Sequence, residues 1–154
     1  MIDRDACIEL IEDRYFGGVM RADLAGVRDC FTNDARVVIR HGDLPPRQFA
    51  VAPAVDESNL LAFYEHICGN YECWFGEFRH YVDVEQQRAA STFKVRLTPR
   101  PEGAFSAWPI QELVNCNFFD FDDGRIAKMI IYYSNPGATR TGEPNPTGYP
   151  PRRM

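Results

Sequence analysis

The chain of 154 residues lacks several features by which whole classes of protein are recognised. It has no apolar run approaching the roughly 20 residues that a helix needs to cross a membrane. Its 17 Lys and Arg are outnumbered by 22 Asp and Glu, and they form no long run outside the Arg152-Arg153 tail. The formal net charge of -5 argues against a nucleic-acid surface. We therefore expect a protein that binds neither membrane nor nucleic acid.

Cysteine is present, but its arrangement predicts neither a disulfide framework nor a zinc site. The five cysteines are scattered singly, without a Cys-x-x-Cys pair, at positions 7, 30, 68, 73 and 116. We interpret them as reduced and mostly packed thiols of a cytoplasmic protein. Residues 1–7 agree with this location, because they carry acids where a secretion signal needs a basic start and an apolar run.

The common catalytic motifs are missing as well. A metal site would need three or four converging His, Cys, Asp or Glu side chains, and no spacing such as His-x-x-x-His suggests one. There is no Gly-x-Ser-x-Gly elbow, Gly-rich phosphate loop or dinucleotide fingerprint. Three carboxylates close together are most simply the solvated end of a hairpin: Asp120, Asp122 and Asp123. We expect no metal and no cofactor.

Three helical segments are predicted in the first half of the chain. Residues 3–20 carry an apolar stripe at spacings of three and four: Ile8, Ile11, Tyr15 and Val19. A short second helix starts at Asp23, and a third fits residues 57–68. Between them we predict a strand over residues 36–40 and a loop over residues 41–55, which contain three prolines.

From residue 71 the apolar pattern alternates, which is typical of strands. Four strands are predicted, over residues 74–84, 89–98, 111–122 and 125–134. The last two form a hairpin closed by Asp123-Gly124, where glycine accepts the positive φ of a tight turn. Helices followed by such a meander predict a single α+β domain over residues 1–136. Residues 137–154, rich in Pro, Gly and Thr, predict an extended or disordered tail.

Two stretches of the chain resemble a known superfamily. Residues 13–35 hold an aromatic helix residue, an Ala-Asp-Leu turn and a Phe-x-x-Asp-Ala step, and they resemble the opening of ketosteroid isomerases and SnoaL-like polyketide cyclases. Phe-x-Phe-Asp-Asp-Gly-Arg-Ile at residues 119–126 resembles the last hairpin of that group. With Tyr-Ser-Asn-Pro at residues 133–136, it is similar, more weakly, to the phenazine-biosynthesis A/B branch. The resemblance implies the cystatin-like cone of the nuclear-transport-factor-2 superfamily, with three N-terminal helices packed in a strongly curved, mainly antiparallel sheet around a deep pocket.

The same resemblance implies roles for single residues. Tyr15 stands where ketosteroid isomerases keep a tyrosine that donates to a developing enolate, although a core tyrosine is the alternative. The isomerase's base would fall near Ile39, which has no proton to move, and its partner acid near Asn117, whose amide can donate. The glutamate that phenazine A/B enzymes place near Ile131 or Tyr132 is absent. We expect an oxyanion-binding pair, Tyr15 and Asn117, without 3-oxo-steroid isomerase activity.

A replacement acid or base is sought among the three histidines, because only this side chain exchanges protons near neutral pH without a shifted pKa. His80 shares a face of its strand with Phe78, Val82 and Val84 and is predicted to point inward, where a backbone carbonyl could equally satisfy it. His66 is expected to cap the last turn of its helix, and His41 to lie on a surface loop.

The pocket is predicted to combine a polar pair with aromatic walls. Asn115 and Asn117 share one strand face, and buried amides in a strand demand partners, so they either face the pocket or line an exposed sheet face. Five further residues are expected to form a box for a flat apolar ligand, with core packing as the alternative: Trp74, Trp108, Met129, Ile131 and Tyr133.

These patterns lead to one expected function and two alternatives. We expect a cofactor-independent isomerase, dehydratase or cyclase that acts on a hydrophobic small molecule, with His80 as acid or base. A binding protein of the same fold without turnover is one alternative, and the small β-type subunit of an aromatic-ring dioxygenase is the other. The apolar face opposite the asparagines is expected to be buried in a homodimer, through Val114, Cys116 and Phe118.

Overall fold

The computed structural model describes residues 1–41 and 45–133, and for His41 its backbone alone. The predicted tail, residues 137–154, lies outside the described residues. Within the described part of the chain, no helix is long and apolar enough to span a membrane.

The first helical segment is continuous from Arg4 to Met20 but changes its winding twice. It consists of α1 (Arg4–Glu9), a π-helix (Leu10–Phe16) and α2 (Gly17–Met20). Its N-cap is Asp3, whose carboxylate accepts from the Ala6 amide at 2.9 Å. The extent predicted for this helix is confirmed, whereas the π-helix, which is wider than an α-helix, was not predicted.

Two shorter helices follow, each started by a side-chain cap. Asp23 accepts from the Gly26 amide at 3.0 Å at the start of α3 (Leu24–Asp29). Asn59 accepts from the Leu61 amide at 2.9 Å at the start of α4 (Leu60–Asn70). The third helix was predicted to start at residue 57, and the Asn59 cap moves that start to Leu60.

In the described residues seven strands form one mixed sheet. They are β1 (Phe31–His41), β2 (Arg47–Ala50), β3 (Ser58–Asn59), β4 (Tyr71–Asp83), β5 (Arg88–Pro99), β6 (Gln111–Asp122) and β7 (Arg125–Tyr133), in the order β3-β2-β1-β7-β6-β5-β4. The strands β4 to β7 form the predicted antiparallel meander, and β1 joins β7 in parallel. The α+β architecture and the mainly antiparallel sheet are confirmed.

The prediction of an uninterrupted loop over residues 41–55 is wrong at β2. The prolines that suggested the loop, Pro45, Pro46 and Pro53, flank Arg47–Ala50 rather than interrupt it, so the strand keeps its amides for pairing with β1. Similarly, β1 starts at Phe31 instead of residue 36, with an irregularity before Arg36.

One row of inward side chains crosses six strands in register. The pairings place Arg47 opposite Ile39, Ile39 beside Ile131, Ile131 opposite Asn117, Asn117 opposite Ser91, and Ser91 opposite His80. We call these six residues the inner row. Because successive side chains alternate between faces, the register holds polar Asn117, Ser91 and His80 on the same face as the apolar core.

A β-bulge in β4 changes which side chains face inward. The register with β5 shifts between Gly76 and Arg79, and Glu77 has a φ of 53°. As a result Phe75 and Phe78, three residues apart, both pack on Phe16, with ring centroids at 4.8 and 5.1 Å. The alternation of inward and outward side chains is therefore interrupted in β4. The face of a residue before the bulge cannot be counted back from His80.

The outer sheet face carries the apolar band predicted on β6. Phe118 is 47% exposed and lies in register with Ala90 on β5 and Ile130 on β7. Its ring packs edge-on against Tyr132 at 5.8 Å. Val114, on the same face of β6, is 57% exposed. An apolar band of this kind on a sheet face is typical of a surface that another protein covers.

We expect a second copy of the chain to cover this face. Phe118→Asp should convert a dimer into a monomer, because it places a charge in the centre of the buried band. Light scattering coupled to size-exclusion chromatography would measure the mass. Val55→Asp, at a fully exposed apolar residue outside the sheet, is the matched control and should leave the dimer intact. A wild-type chain that is monomeric at micromolar concentration would contradict the expectation.

Candidate functional site

A cavity lies between the first helical segment, α4 and the inner face of the sheet. It is narrow and partly enclosed, with one side open to solvent. Most of its wall is apolar, and four phenylalanines contribute to it: Phe16, Phe63, Phe75 and Phe93. Phe16 contacts Phe75 and Phe93 at centroid distances of 4.8 and 4.5 Å, so these three rings form one aromatic surface. Such a wall suits a flat apolar molecule.

Two tyrosines place their hydroxyl groups together in this wall. Tyr15 comes from the π-helix and Tyr64 from α4, and the two hydroxyl groups are hydrogen-bonded to each other. Burial raises the pKa of both phenols well above the usual value, and the nearby Tyr133 hydroxyl raises it further. Both therefore stay protonated at neutral pH. One proton is used within the pair, so the other hydroxyl hydrogen remains for an oxygen in the cavity.

Two buried asparagines on β6 supply amide groups to the same cavity. Asn115 and Asn117 line it, and Asn117 is 1% exposed. The Asn117 Nδ2 donates to the thioether of Met129 at 3.6 Å, a weak acceptor. Among the described residues neither Oδ1 has a hydrogen-bond partner. An unsatisfied buried acceptor costs about 1–3 kcal/mol, so this wall is prepared for a polar partner that it lacks.

His80 faces inward, as expected, but it does not line the cavity. Its side chain is 6% exposed, and both ring nitrogens are engaged. Nε2 lies 2.6 Å from Glu12 Oε1, and Nδ1 lies 2.7 Å from Ser91 Oγ. Ser91 and His80 follow Asn117 along the inner row, so the imidazole lies two strands away from Asn117. Side chains satisfy it, and no backbone carbonyl is needed.

The residues expected to form the aromatic box are separated. Ile131 and Tyr133 line the cavity. Met129 is buried beside Asn117 and does not line it. Trp74 lies on the outer face, 42% exposed with its ring 5.5 Å from the Arg96 guanidinium, because the bulge reverses the alternation counted from His80. Trp108 packs on a neighbouring phenylalanine in the connection before β6, away from the cavity.

The two other histidines give no further site. The ring of exposed His66 lies 3.3 Å from Asn70 within α4. The side chain of His41 lies outside the described residues. In the described part of the chain no three His, Cys, Asp or Glu side chains are grouped as a metal site would require.

Sequence reasoning missed three residues of this region. Tyr64 lies on the third predicted helix, and only the helix packing shows that its hydroxyl meets Tyr15. Glu12 and Ser91 gave no signal, because the contact of Glu12 with His80 depends on the π-helix and spans 68 residues.

Solved structures with the same architecture are known. A candidate polyketide cyclase from Xanthomonas campestris has a TM-score of 0.64 at 17% identity, covering 84% of this chain and 91% of its own. A cystatin-like protein of unknown function from Methylobium petroleophilum has a TM-score of 0.66 at 19% identity, and the match covers 89% of this chain and 81% of that protein. An NTF2-like protein from Burkholderia xenovorans has a TM-score of 0.62 at 12% identity, and the match covers 86% of this chain and 92% of that protein.

The chain has the NTF2-like, cystatin-like fold. The resemblance inferred from residues 13–35 and 119–126 is thus confirmed for the fold. No protein-family model matches the sequence, and no curated protein matches it either. At these identities the likeness concerns architecture, and the chemistry has to be argued from the site.

The tyrosine pair predicts a specific pattern of stabilities. Tyr15→Phe or Tyr64→Phe alone should lower the free energy of unfolding by about 1–2 kcal/mol, because each leaves a buried hydroxyl without its partner. The double variant should cost less than the sum, since both polar groups are then gone. Urea unfolding of the four proteins measures this cycle. Strict additivity would show that the two hydroxyls are not coupled.

Proposed function

We propose that the chain is a cofactor-independent enzyme that transfers protons on a hydrophobic small molecule, in an isomerisation, dehydration or cyclisation. The observation that carries this proposal is the meeting of a hydroxyl pair and two amides in one wall of an otherwise apolar cavity. A pure binding site for an apolar ligand has no need of such buried, partly unsatisfied groups.

In the proposed reaction, the ligand's apolar body lies on the phenylalanine wall and its oxygen lies between Tyr15 and Asn117. Hydrogen-bond donors aimed at an oxygen that gains negative charge stabilise the transition state more than the ground state. This effect is large here because the wall excludes water and the tyrosine stays protonated. A candidate polyketide cyclase, that of X. campestris, is among the solved structures with this fold.

The proton acceptor of this reaction cannot be the residue at the position of the isomerase base. The position of the isomerase base holds Ile39, which is buried and apolar. His80 stays the proposed acid or base, but neither its ring nor Ser91, which is hydrogen-bonded to Nδ1, lines the cavity. Proton exchange with the ligand would need the Ser91 hydroxyl to reach the ligand past Asn117. A base carried by the substrate itself would make this route unnecessary.

Hydrogen–deuterium exchange next to a carbonyl tests the proposal without a known substrate. The protein is incubated in D₂O with a panel of flat aromatic ketones, such as 2-acetylnaphthalene, and deuterium uptake by the ketone is followed by mass spectrometry. We expect exchange faster than in buffer for at least one ketone. Tyr15→Phe should slow that exchange by roughly 10²-fold, more than it weakens ketone binding, as the loss of one oxyanion donor does.

A tyrosine outside the cavity provides the control for this experiment, and two results would favour the alternative functions. Tyr71→Phe removes a hydroxyl from a buried tyrosine that does not line the cavity, and it should leave the exchange rate unchanged. Ketone binding without catalysed exchange in the panel would favour the non-catalytic binding protein. Co-purification with a larger iron–sulfur chain would favour the dioxygenase-subunit alternative.

A further inference from the structure

A chain of hydrogen bonds leads from the protein surface to the back of the cavity wall. It starts at Glu12, whose side chain is 36% exposed, and passes through His80 to Ser91, which is 0% exposed. The contacts are 2.6 Å from Glu12 to Nε2 and 2.7 Å from Nδ1 to Ser91. Both are at normal or short hydrogen-bond length, so the imidazole is held firmly at each end.

The charge of the imidazole determines the direction of the bond to Ser91. The ionised Glu12 carboxylate only accepts, so Nε2 carries a proton in either state. In neutral His80, Nδ1 then has no proton and accepts from the Ser91 hydroxyl. In charged His80, Nδ1–H donates to Ser91 Oγ, and the serine hydroxyl hydrogen is released for another acceptor.

Asn117 is the next residue along the inner row, directly opposite Ser91. Facing side chains on paired strands have Cβ atoms about 4.5–5.5 Å apart, a separation that a serine and an asparagine bridge with a small rotation. The amide is held weakly, since Nδ2 contacts only the Met129 thioether at 3.6 Å and Oδ1 has no partner among the described residues. Its orientation is therefore open to control by Ser91.

We propose that Glu12, His80 and Ser91 are positioning residues that set the orientation of the Asn117 amide according to the charge of His80. With neutral His80, Ser91 Oγ accepts from Asn117 Nδ2, and the amide oxygen faces the cavity. With charged His80, Ser91 donates to Asn117 Oδ1, and the amide NH₂ faces the cavity. The donor that holds a negative oxygen is thus presented in the charged state, in which His80 can act as the acid and not as the base.

Apart from Glu12, the groups packed around the His80 ring carry no charge that would compete for control of its hydrogen bond with Ser91. Phe78 stacks on the ring at a centroid distance of 5.6 Å and carries no charge. On its own strand Arg79 and Asp83 are exposed and alternate to the opposite face. Across the pairing, β5 presents Ser91, and from the helical layer the charged group in contact is Glu12. The functional consequence rests on the function proposed above, whereas the coupling itself does not.

The coupling is measured by NMR on the full chain without any ligand. The ¹⁵N–¹H signals of the Asn117 NH₂, assigned by their loss in Asn117→Ala, and the ring ¹⁵N signals of His80 are followed from about pH 5 to about pH 9, the range in which histidine titrates. We expect the Asn117 signals to shift with the same midpoint as the His80 ring. Neutral His80 should show the tautomer with the proton on Nε2.

Four variants test the path of the coupling. In Ser91→Ala the His80 ring should still titrate while the Asn117 signals lose their pH-dependent shift, and Ser91→Thr, which restores a hydroxyl, should recover it. Thr92→Ala, a hydroxyl deletion on the opposite face of the same strand, should leave the shift in place. His80→Gln keeps a polar side chain without a charge change and should make the Asn117 signals independent of pH.

Three results would overturn the proposal: Asn117 signals that ignore the His80 titration, signals that still follow it in Ser91→Ala, or an imidazole that keeps one charge over the whole range. If Ser91→Ala does not fold, the wild-type titration and His80→Gln decide the matter. Because no substrate is used, a failure to find turnover would leave a measured coupling intact. Conversely, loss of the coupling would leave the ketone-exchange test of Tyr15 standing.

Discussion

The register between β5 and β6 is the constraint on which the site depends. Pairing Ser91 with Asn117 keeps Phe93, Val95, Asn115 and Asn117 on the inner face together. A slip of one residue would exchange the two faces and send both asparagines outward. The buried Phe93 and Val95 hold the register against that slip, since their exposure would cost about 1.5–3 kcal/mol each. The stability of the apolar core is thus what keeps polar groups in the cavity wall.

The polar groups of the wall are stabilised unequally, and this inequality suits a binding site. The tyrosine hydroxyls are hydrogen-bonded to each other, whereas both asparagine oxygens remain without partners in the described residues. A ligand that supplies those hydrogen bonds recovers the desolvation already spent on the amides during folding. Recognition by such a wall discriminates strongly, because an analogue lacking the matching group leaves the amide unsatisfied again.

Much of the fold could be read from the sequence, because alternation and caps are local signals. Phe93, Val95 and Leu97 alternate with exposed residues along the strand predicted over residues 89–98, and they lie on the inner face of β5. Trp74 was misplaced because a bulge at Gly76 depends on pairing with β5, which alternation alone does not encode. The meeting of Tyr15 with Tyr64 and of Glu12 with His80 spans 49 and 68 residues, and such contacts follow only from the packed layers.

The π-helix at Leu10–Phe16 makes the site depend on chain length as well as on side-chain identity. Glu12 and Tyr15 lie three residues apart, yet one meets His80 and the other faces the cavity. A π-helix holds more residues per turn than an α-helix, which lets neighbouring side chains diverge in this way. Loss of one residue from this segment would return it to α-helical winding, which leaves the flanking turns in place but changes the directions in which Glu12 and Tyr15 point relative to each other. Relatives of this chain that differ here by a single-residue gap would therefore share its cone but not its arrangement of acid, imidazole and phenol.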